Sequence, residues 1–359
     1  MAHRPRLGYW KVETMTKNNR PLLAVTMGDP GGIGPEIAAK ALAEKTIYEQ
    51  CRPLIVGTRD IMNQALEFSG LGHLKINAVK SPAEGRYEQG QIDVLDMDNL
   101  PLEQLRHKTV TAEQGRASFE YIDKAIALAL AGEVDGTVTG PINKAAINAG
   151  GYHYAGHTEI YADKTKTRDY AMMLADGGFR VSHVSTHVSL REACDRVKKE
   201  RVSRVISLTW EALRRMGLNQ PRLAVAGLNP HCGEEGLFGT EDDLEILPAV
   251  NEAKTRGWLV EGPIPADTVF SKMVGGQYDA VVVMYHDQGH IPIKLQGFNY
   301  NEKTNTWGQL SGVNLTLGLP IIRTSVDHGT AFGKAGEGRA NPQSMIDAIE
   351  LAAKLADAR

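Results

Sequence analysis

Short apolar runs alternate with longer stretches of helical periodicity along this chain, and that alternation restricts the fold more than any other feature. The runs at 22–27, 53–57, 136–139, 180–186, 222–230, 279–285, 313–317 and 321–324 have strand length, and most are rich in valine, leucine or isoleucine. Between them, 35–45, 113–131, 202–216, 241–255 and 343–357 carry the spacing of amphipathic helices. Strands that each hand over to a helix build βαβ units, so the spacing predicts an α/β protein on largely parallel sheets. Strands covered by helices on both faces read as continuous apolar runs, which is the pattern here.

Three of these runs end directly before a histidine: His187, His231 and His286. Parallel strands would bring all three imidazoles to the carboxyl edge of a sheet, where open α/β folds place their ligands. Three neutral imidazoles with coordination positions left over form a catalytic-metal pattern, for zinc or a neighbouring divalent ion. A single histidine after a strand is ordinarily a loop residue, and spacing alone leaves a shared metal site and three separate loop histidines both open.

Composition narrows the function classes. The 359 residues suffice for two domains, and a formal net charge of −3 gives no electrostatic footprint for nucleic acid or an anionic membrane. No apolar run approaches the roughly 18 residues of a membrane span. Three cysteines without CxxC spacing argue for a reducing, cytoplasmic setting and against a thiolate metal site, with Cys232 a small apolar filler beside His231. Residues 1–15 begin basic and lack an apolar core, so they read as an extension without order rather than as a signal peptide. The Asn- and Thr-rich stretch 298–309 reads as an exposed loop.

Several further motifs carry candidate chemistry. In TMGDPGGIGPE, residues 26–36, a strand enters a Gly-rich turn with Pro35 at a helix start. The spacing is not GxGxxG, no Walker lysine follows, and Glu36 would oppose a phosphate. A turn that shapes the fold or lines a substrate cleft is therefore favoured over a pyrophosphate loop. His157 and Thr158, with Lys144 upstream, offer donors for an oxyanion, while a capped helix start in which Thr158 merely caps is an equal reading. In YHDQGHIPIK, residues 285–294, Asp287 can orient an imidazole or bind metal, and Lys294 can meet a carboxylate or move a proton. His290 reads as structural. Arg323, at the last strand, is a candidate for bidentate anion binding.

Taken in order, TMGDPGGIGPE, GHTE, STHVSL, LNPHCGE, YHDQGHIPIK and GVNLTLGLPIIRTSVDHGTA resemble the 4-hydroxythreonine-4-phosphate dehydrogenase family of vitamin B6 synthesis, over nearly the whole chain from about Pro21. The segment HGTA followed by AGEGRANP is also similar to isocitrate and isopropylmalate dehydrogenases. The resemblance implies their two-domain fold with an interdomain active-site cleft. It implies a domain of residues 16–140 plus 315–359 on the nucleotide side, a central domain of 141–314, and a homodimer with shared active sites. It places metal ligands on His187, His231 and His286, and substrate contacts on His157, Thr158, Lys294, Asn314 and Arg323. The nucleotide, NAD or NADP, would lie along Asp327, His328, Gly329, Thr330, Gly333, Lys334 and Asn341.

The implied reaction is oxidation of a secondary hydroxyl assisted by one divalent ion (Zn, Mg, Mn or Co), followed by β-decarboxylation. Lys294, or a water held by Asp267 or Asp287, would be the base, and the residues do not choose among them. Two departures from the family pattern stand out. About ten extra residues occupy 299–309, and Gly333 with Lys334 stands where the family commonly has an aspartate able to bind a ribose 2′-hydroxyl. Losing a carboxylate and gaining a cation favours tolerance of a 2′-phosphate, hence of NADP. The substrate implied first is 4-phosphooxy-L-threonine. D-threonate or D-erythronate 4-phosphate is the alternative, and a metal-dependent hydrolase or phosphotransferase is a remote third.

Overall fold

The computed structural model describes residues 20–297, 300–301, 306–307 and 312–358. The expected extension at 1–15 and most of the 299–309 insertion lie outside these. The described residues divide into two compact units, a terminal unit within 20–168 and 319–357 and a central unit within 169–318.

The terminal unit opens with β1 (Leu22–Thr26), α1 (Gly34–Ala41), α2 (Lys45–Gln50), β2 (Arg52–Gly57), α3 (Arg59–Phe68), β3 (Lys75–Val79) and β4 (Gln91–Asp96). It continues through α4 (Ala112–Leu130), β5 (Gly136–Thr139), α5 (Lys144–Ala149) and α6 (His157–Lys164). The central unit holds β6 (Ala171–Asp176), β7 (Phe179–His183), α7 (Leu190–Asp195), α8 (Lys199–Arg215), β8 (Arg222–Ala226), α9 (Leu247–Thr255) and β9 (Leu259–Ile264). There follow α10 (Ala266–Val274), β10 (Ala280–Val283), α11 (His286–Gly297), β11 (Tyr300–Asn301), β12 (Thr306–Trp307) and β13 (Val313–Leu317). The chain then returns to the terminal unit with β14 (Arg323–Val326) and α12 (Gln343–Asp357).

In the terminal unit the strands run in the order β3-β4-β2-β1-β5-β14, every pair parallel. Every residue of β1 and β5 is buried, as expected of central parallel strands covered on both faces. Edge strand β3 is exposed or half-buried at four of its five residues and lacks an apolar run, which is why its sequence does not announce it. Thr111 caps α4 by accepting the Gln114 amide at 3.2 Å. Residues 141–168, read from sequence with the central domain, cluster here instead. Two contacts explain this: α5 packs on α4 so tightly that a Cβ on Gly115 would lie 1.8 Å from the Ala146 carbonyl oxygen, and Tyr161 of α6 donates its hydroxyl to Thr137 of β5 at 3.0 Å.

In the central unit the order is β13-β6-β7-β10-β8-β9. The strands β7, β10, β8 and β9 are parallel, whereas β6 joins both β13 and β7 antiparallel. The α/β, largely parallel expectation therefore holds, with one antiparallel hairpin added at the two-residue turn between Asp176 and Phe179, where Gly177 takes φ 55°. Leu174, Phe179, Val181, Ala224, Val281, Val283 and Ile293 form its core with Val269 and Met273 of α10. Two expected elements differ in detail. The stretch 241–255 starts as a π-helical turn, Asp242–Ile246, before α9. The stretch 298–309, read as an open loop, contributes an antiparallel pair, Tyr300 opposite Trp307 and Asn301 opposite Thr306.

Candidate active site

The three histidine-bearing strands are shorter than their apolar runs, and each imidazole stands beyond the strand end. β7 stops at His183, β8 at Ala226 and β10 at Val283; His187 and His231 follow in loops, and His286 is the first residue of α11. The rings of His187 and His286 lie 5.7 Å apart between centroids. One ion bound by two imidazoles at tetrahedral angle would hold their centroids ~5.4 Å apart, a spacing close to this one. Asp287 Oδ1 lies 2.7 Å from His286 Nδ1, an arrangement that holds the ring's orientation. His290 stacks on His286 at 3.5 Å, and His183 packs beside His290 at 4.9 Å. His183 is fully buried, and burial together with the nearby imidazoles pulls its pKa down to about 3.

His231 is not gathered with that pair. Among the described residues, no three His, Cys, Asp or Glu side chains converge as one ion would require. His231 stands in a left-handed turn: residues 231–236 all take positive φ, including His231 at 52°, Cys232 at 57°, Glu234 at 46° and Glu235 at 55°. L-residues resist this conformation by roughly 1–2 kcal/mol each, so the surrounding structure must impose it. Buried Asp242 holds the residues leading into the turn, accepting Leu228 N at 2.8 Å, Asn229 N at 3.1 Å and Asn229 Nδ2 at 3.0 Å. Asp267, in the first turn of α10, lies on this side. With Asp242 and Asp243 it adds to burial in pushing the Cys232 thiol up to about 11, so Cys232 is a neutral thiol at neutral pH.

A second cluster forms in the terminal unit. Arg323 opens β14 and is 2% exposed. Its Nη2 donates to Thr139 Oγ1 at 3.0 Å, and its guanidinium stands 5.6 Å from the Tyr161 ring centre. Burial lowers its pKa to about 10, which leaves it a cation at neutral pH. His157, at the start of α6, has an Nε2 sealed from solvent and without a partner among the described residues. Burial first, then the Arg323 and Lys144 charges, hold its pKa well below the ordinary histidine value, so the ring is neutral. A neutral imidazole donor within the field of two cations suits an oxyanion. Thr158 lies in the first turn of α6 and forms no side-chain cap, so the capping alternative fails. Lys294, on α11, and Asn314, on β13, belong to the central unit; Asn314 Oδ1 is sealed and has no partner among the described residues.

The segment expected to meet a nucleotide is anchored from both ends. Asp327 N donates to Ser344 Oγ at 3.2 Å, His328 Nδ1 lies 3.0 Å from Gly329 O, and Thr330 O accepts Ile33 N at 3.0 Å. Gly333 and Lys334 are exposed, and Arg339 Nη2 reaches Gly333 O at 3.4 Å. Asn341 accepts from Gln343 N at 2.8 Å, at the start of α12. The Gly-rich turn packs against this segment: a Cβ on Gly32 would sit 2.9 Å from Thr330, so the turn shapes the fold, as its spacing favoured. Glu36 is buried and faces inward. It accepts from Ala340 N at 2.6 Å and Lys40 Nζ at 2.7 Å, while Lys40 donates to the carbonyls of Gly338 at 2.9 Å and Ala340 at 2.8 Å.

Sequence reasoning missed Glu36 with Lys40, Asp242, and Asp29, whose buried carboxyl is raised to about 6 by burial against opposing amide bonds from Gly31 and Asn143. The one signal available was polarity: each is a charged residue inside or beside an otherwise apolar or glycine-rich stretch.

Parallel strands delivering imidazoles past their carboxyl ends, together with a buried arginine and a neutral buried histidine, suit an α/β enzyme for an anionic substrate. The chain belongs to the family described as pyridoxal phosphate biosynthetic protein PdxA, whose model matches residues 49–352. It is 47% identical over 341 residues to a protein of Symbiobacterium thermophilum, covering 95% of this chain and 98% of the relative, and 46% identical over 337 residues to one of Clostridium botulinum, covering 94% and 97%. Both relatives carry the name "Putative D-threonate 4-phosphate dehydrogenase". A crystal structure of 4-hydroxythreonine-4-phosphate dehydrogenase from Klebsiella pneumoniae is 43% identical, with a TM-score of 0.81, covering 94% of this chain and 99% of that one. The protein is a dehydrogenase of this family, and the hydrolase alternative is set aside.

Proposed function

We propose that this dehydrogenase oxidises the C3 hydroxyl of D-threonate 4-phosphate with NAD or NADP and then decarboxylates the product. Hydride passes from C3 to the nicotinamide and the hydroxyl proton to a base. The resulting 3-oxo acid loses carbon dioxide, and protonation at C2 yields a hydroxyketone phosphate. The observation that carries the substrate choice is the end-to-end match to relatives named for D-threonate 4-phosphate, at 46–47% identity. The name of the Klebsiella structure favours a second reading, the 2-amino analogue 4-phosphooxy-L-threonine, by the same chemistry.

In this reading His157, Thr158 and Arg323 hold an anionic end of the substrate, with Lys294 and Asn314 as further contacts. Arg323 supplies fixed charge. His157, neutral, donates one hydrogen bond and adds no pH-dependent charge to binding. Lys294, or a water on Asp267 or Asp287, is the base. His187 and His286, with His231 as third donor, would hold a divalent ion, Zn, Mg, Mn or Co. Such an ion, when bound, lowers the pKa of the hydroxyl and stabilises the enolate. The nucleotide lies along 327–341, where exposed Lys334 and Arg339 near Gly333 support use of NADP.

The reading includes a cytoplasmic homodimer. Exposed Leu190, Leu237, Phe238, Leu244, Ile291 and Leu295 on the central unit support an interface there, and no described helix is long and apolar enough to cross a membrane. Absorbance of the reduced nicotinamide tests the whole reading. Metal-loaded enzyme should reduce cofactor with D-threonate 4-phosphate and release carbon dioxide. Turnover with only the amino analogue moves the enzyme to the second reading, and silence with both refutes the substrate class.

A further inference from the structure

Arg323 of β14 stands in register with Thr137 of β5. Thr137 and Thr139, two residues apart, share one face of β5, and both are buried. Each hydroxyl works on the Arg323 segment. Thr137 Oγ1 donates to Ile322 O at 2.9 Å, one residue before the arginine. Thr139 Oγ1 donates to Thr324 O at 3.4 Å, one residue after it, and accepts Arg323 Nη2 at 3.0 Å. The two threonines thus fix the backbone on both sides of Arg323 and one arm of its fork.

Tyr161 completes this frame from α6. It is fully buried, its hydroxyl donates to Thr137 Oγ1 at 3.0 Å, and its ring centre stands 5.6 Å from the Arg323 guanidinium carbon. An aromatic ring at that distance attracts a cation, most strongly where water is absent. Arg323 is out of water, and a buried charge is costly unless its surroundings compensate it. The ring supplies part of that compensation. His157 lies four residues before Tyr161 in α6, so the two side chains share one side of the helix. Anchoring Tyr161 to β5 therefore also sets where α6 presents His157, whose Nε2 is sealed and has no partner among the described residues. One tyrosine links the strand that carries Arg323 with the helix that carries His157.

We propose that Tyr161 is a positioning residue for anion binding: its ring beds the Arg323 guanidinium, and its hydroxyl docks the helix carrying His157 onto β5. The inference rests on the reading of Arg323 and His157 as substrate contacts and adds to it a residue that acts through them. Chemical logic supports the assignment. A guanidinium grips an oxyanion with two parallel N–H bonds only when its plane is held. Thr139 holds one nitrogen, and the ring limits rotation about that contact. Without the ring the charge would remain but the fork would turn. Binding of the anionic substrate is therefore the property that Tyr161 sets, rather than turnover or binding of the nucleotide.

The test is steady-state kinetics of the full-length enzyme with whichever phosphorylated substrate it turns over, together with competitive inhibition by inorganic phosphate and thermal melts. Tyr161→Leu removes the ring. KM for the substrate and Ki for phosphate should both rise about 10–30-fold, the scale of a desolvated cation–ring contact, with kcat and the KM of the nucleotide unchanged. Tyr161→Phe keeps the ring and loses only the bond to Thr137. It should melt lower yet return KM and Ki to within about threefold of wild type, the scale of one neutral hydrogen bond. Thr139→Val removes the guanidinium's acceptor at nearly constant volume. It should move KM and Ki as the leucine variant does, and it takes that variant's place should the latter not fold. A leucine variant that melts lower with unchanged KM and Ki would make Tyr161 structural only and overturn the inference. A phenylalanine variant as impaired as the leucine one would overturn the role of the ring. Wild-type enzyme that phosphate does not inhibit, with a KM indifferent to Arg323→Lys, would overturn the anion reading, and this inference with it.

Discussion

Replacing Asp242 with alanine removes the carboxylate that holds residues 228–229 ahead of the left-handed turn. Two backbone N–H groups, of Leu228 and Asn229, lose acceptors at 2.8 and 3.1 Å, while the Asn229 amide keeps Glu241 at 2.8 Å. Hydrogen bonds to a charged acceptor contribute about 1.5–3 kcal/mol each. Both residues are half-buried, so water recovers part of that, and the gross loss is about 3–5 kcal/mol. Relaxation of one of the four non-glycine residues at positive φ returns some of it, roughly 1–2 kcal/mol. The net expectation is about 2–3 kcal/mol. A domain of 150–250 residues shifts by about 2–4 °C per kcal/mol, and the central unit spans residues 169–318, so its melting should fall by roughly 4–12 °C. Calorimetry on metal-free protein reads this directly, and limited proteolysis should show faster cleavage around 230–239. Asp242→Asn retains one acceptor and should lose less than half as much. An alanine variant that melts with the wild type and resists protease equally would refute the account of how the turn is held.

Other expectations follow from the same residues. Arg323→Lys loses the bond to Thr139 and the planar fork, so KM for the phosphorylated substrate should rise about 10–100-fold in steady-state assays; unchanged KM would remove Arg323 from the site. His157 is held neutral, so below pH 6.5 the unfolded imidazole takes up a proton that the native ring does not, and this contribution lowers stability as the pH falls. Asp29, raised from 3.8 to about 6, acts oppositely between those values, so denaturant unfolding of wild type should show the steepest loss just below pH 6.5 and a flatter course below about 6. Gly115→Ala forces a methyl onto the Ala146 carbonyl and should destabilise the terminal unit by about 3 kcal/mol or more in thermal melts. Lys334→Ala should lower kcat/KM for NADP more than for NAD, and equal effects would dismiss a role in 2′-phosphate binding.

Much of this protein is legible in its sequence because the relevant physics is local. Buried parallel strands must be continuous apolar runs, so β1, β2, β5, β8 and β10 could be read directly, and a residue that follows such a run must stand at the sheet's edge, which located His187, His231 and His286. Helices α4, α8 and α12 announce themselves by period. What sequence could not supply were the outcomes of long-range contact. Exposure of β3 hides its pattern, and the packing of α5 on Gly115 assigns residues 141–168 to the terminal unit. The residues leading into the left-handed turn at His231 are held from across a loop by Asp242, thirteen or fourteen residues from its two backbone partners. The roles of Glu36 and Tyr161 arise from hydrogen-bond partners up to 304 residues apart and 24 residues apart, respectively. Local pattern determined which residues enter strands and which stand at their ends. Tertiary structure decided which of those ends are tied together, because a buried polar side chain takes its meaning from whichever distant backbone group the fold leaves needing a partner.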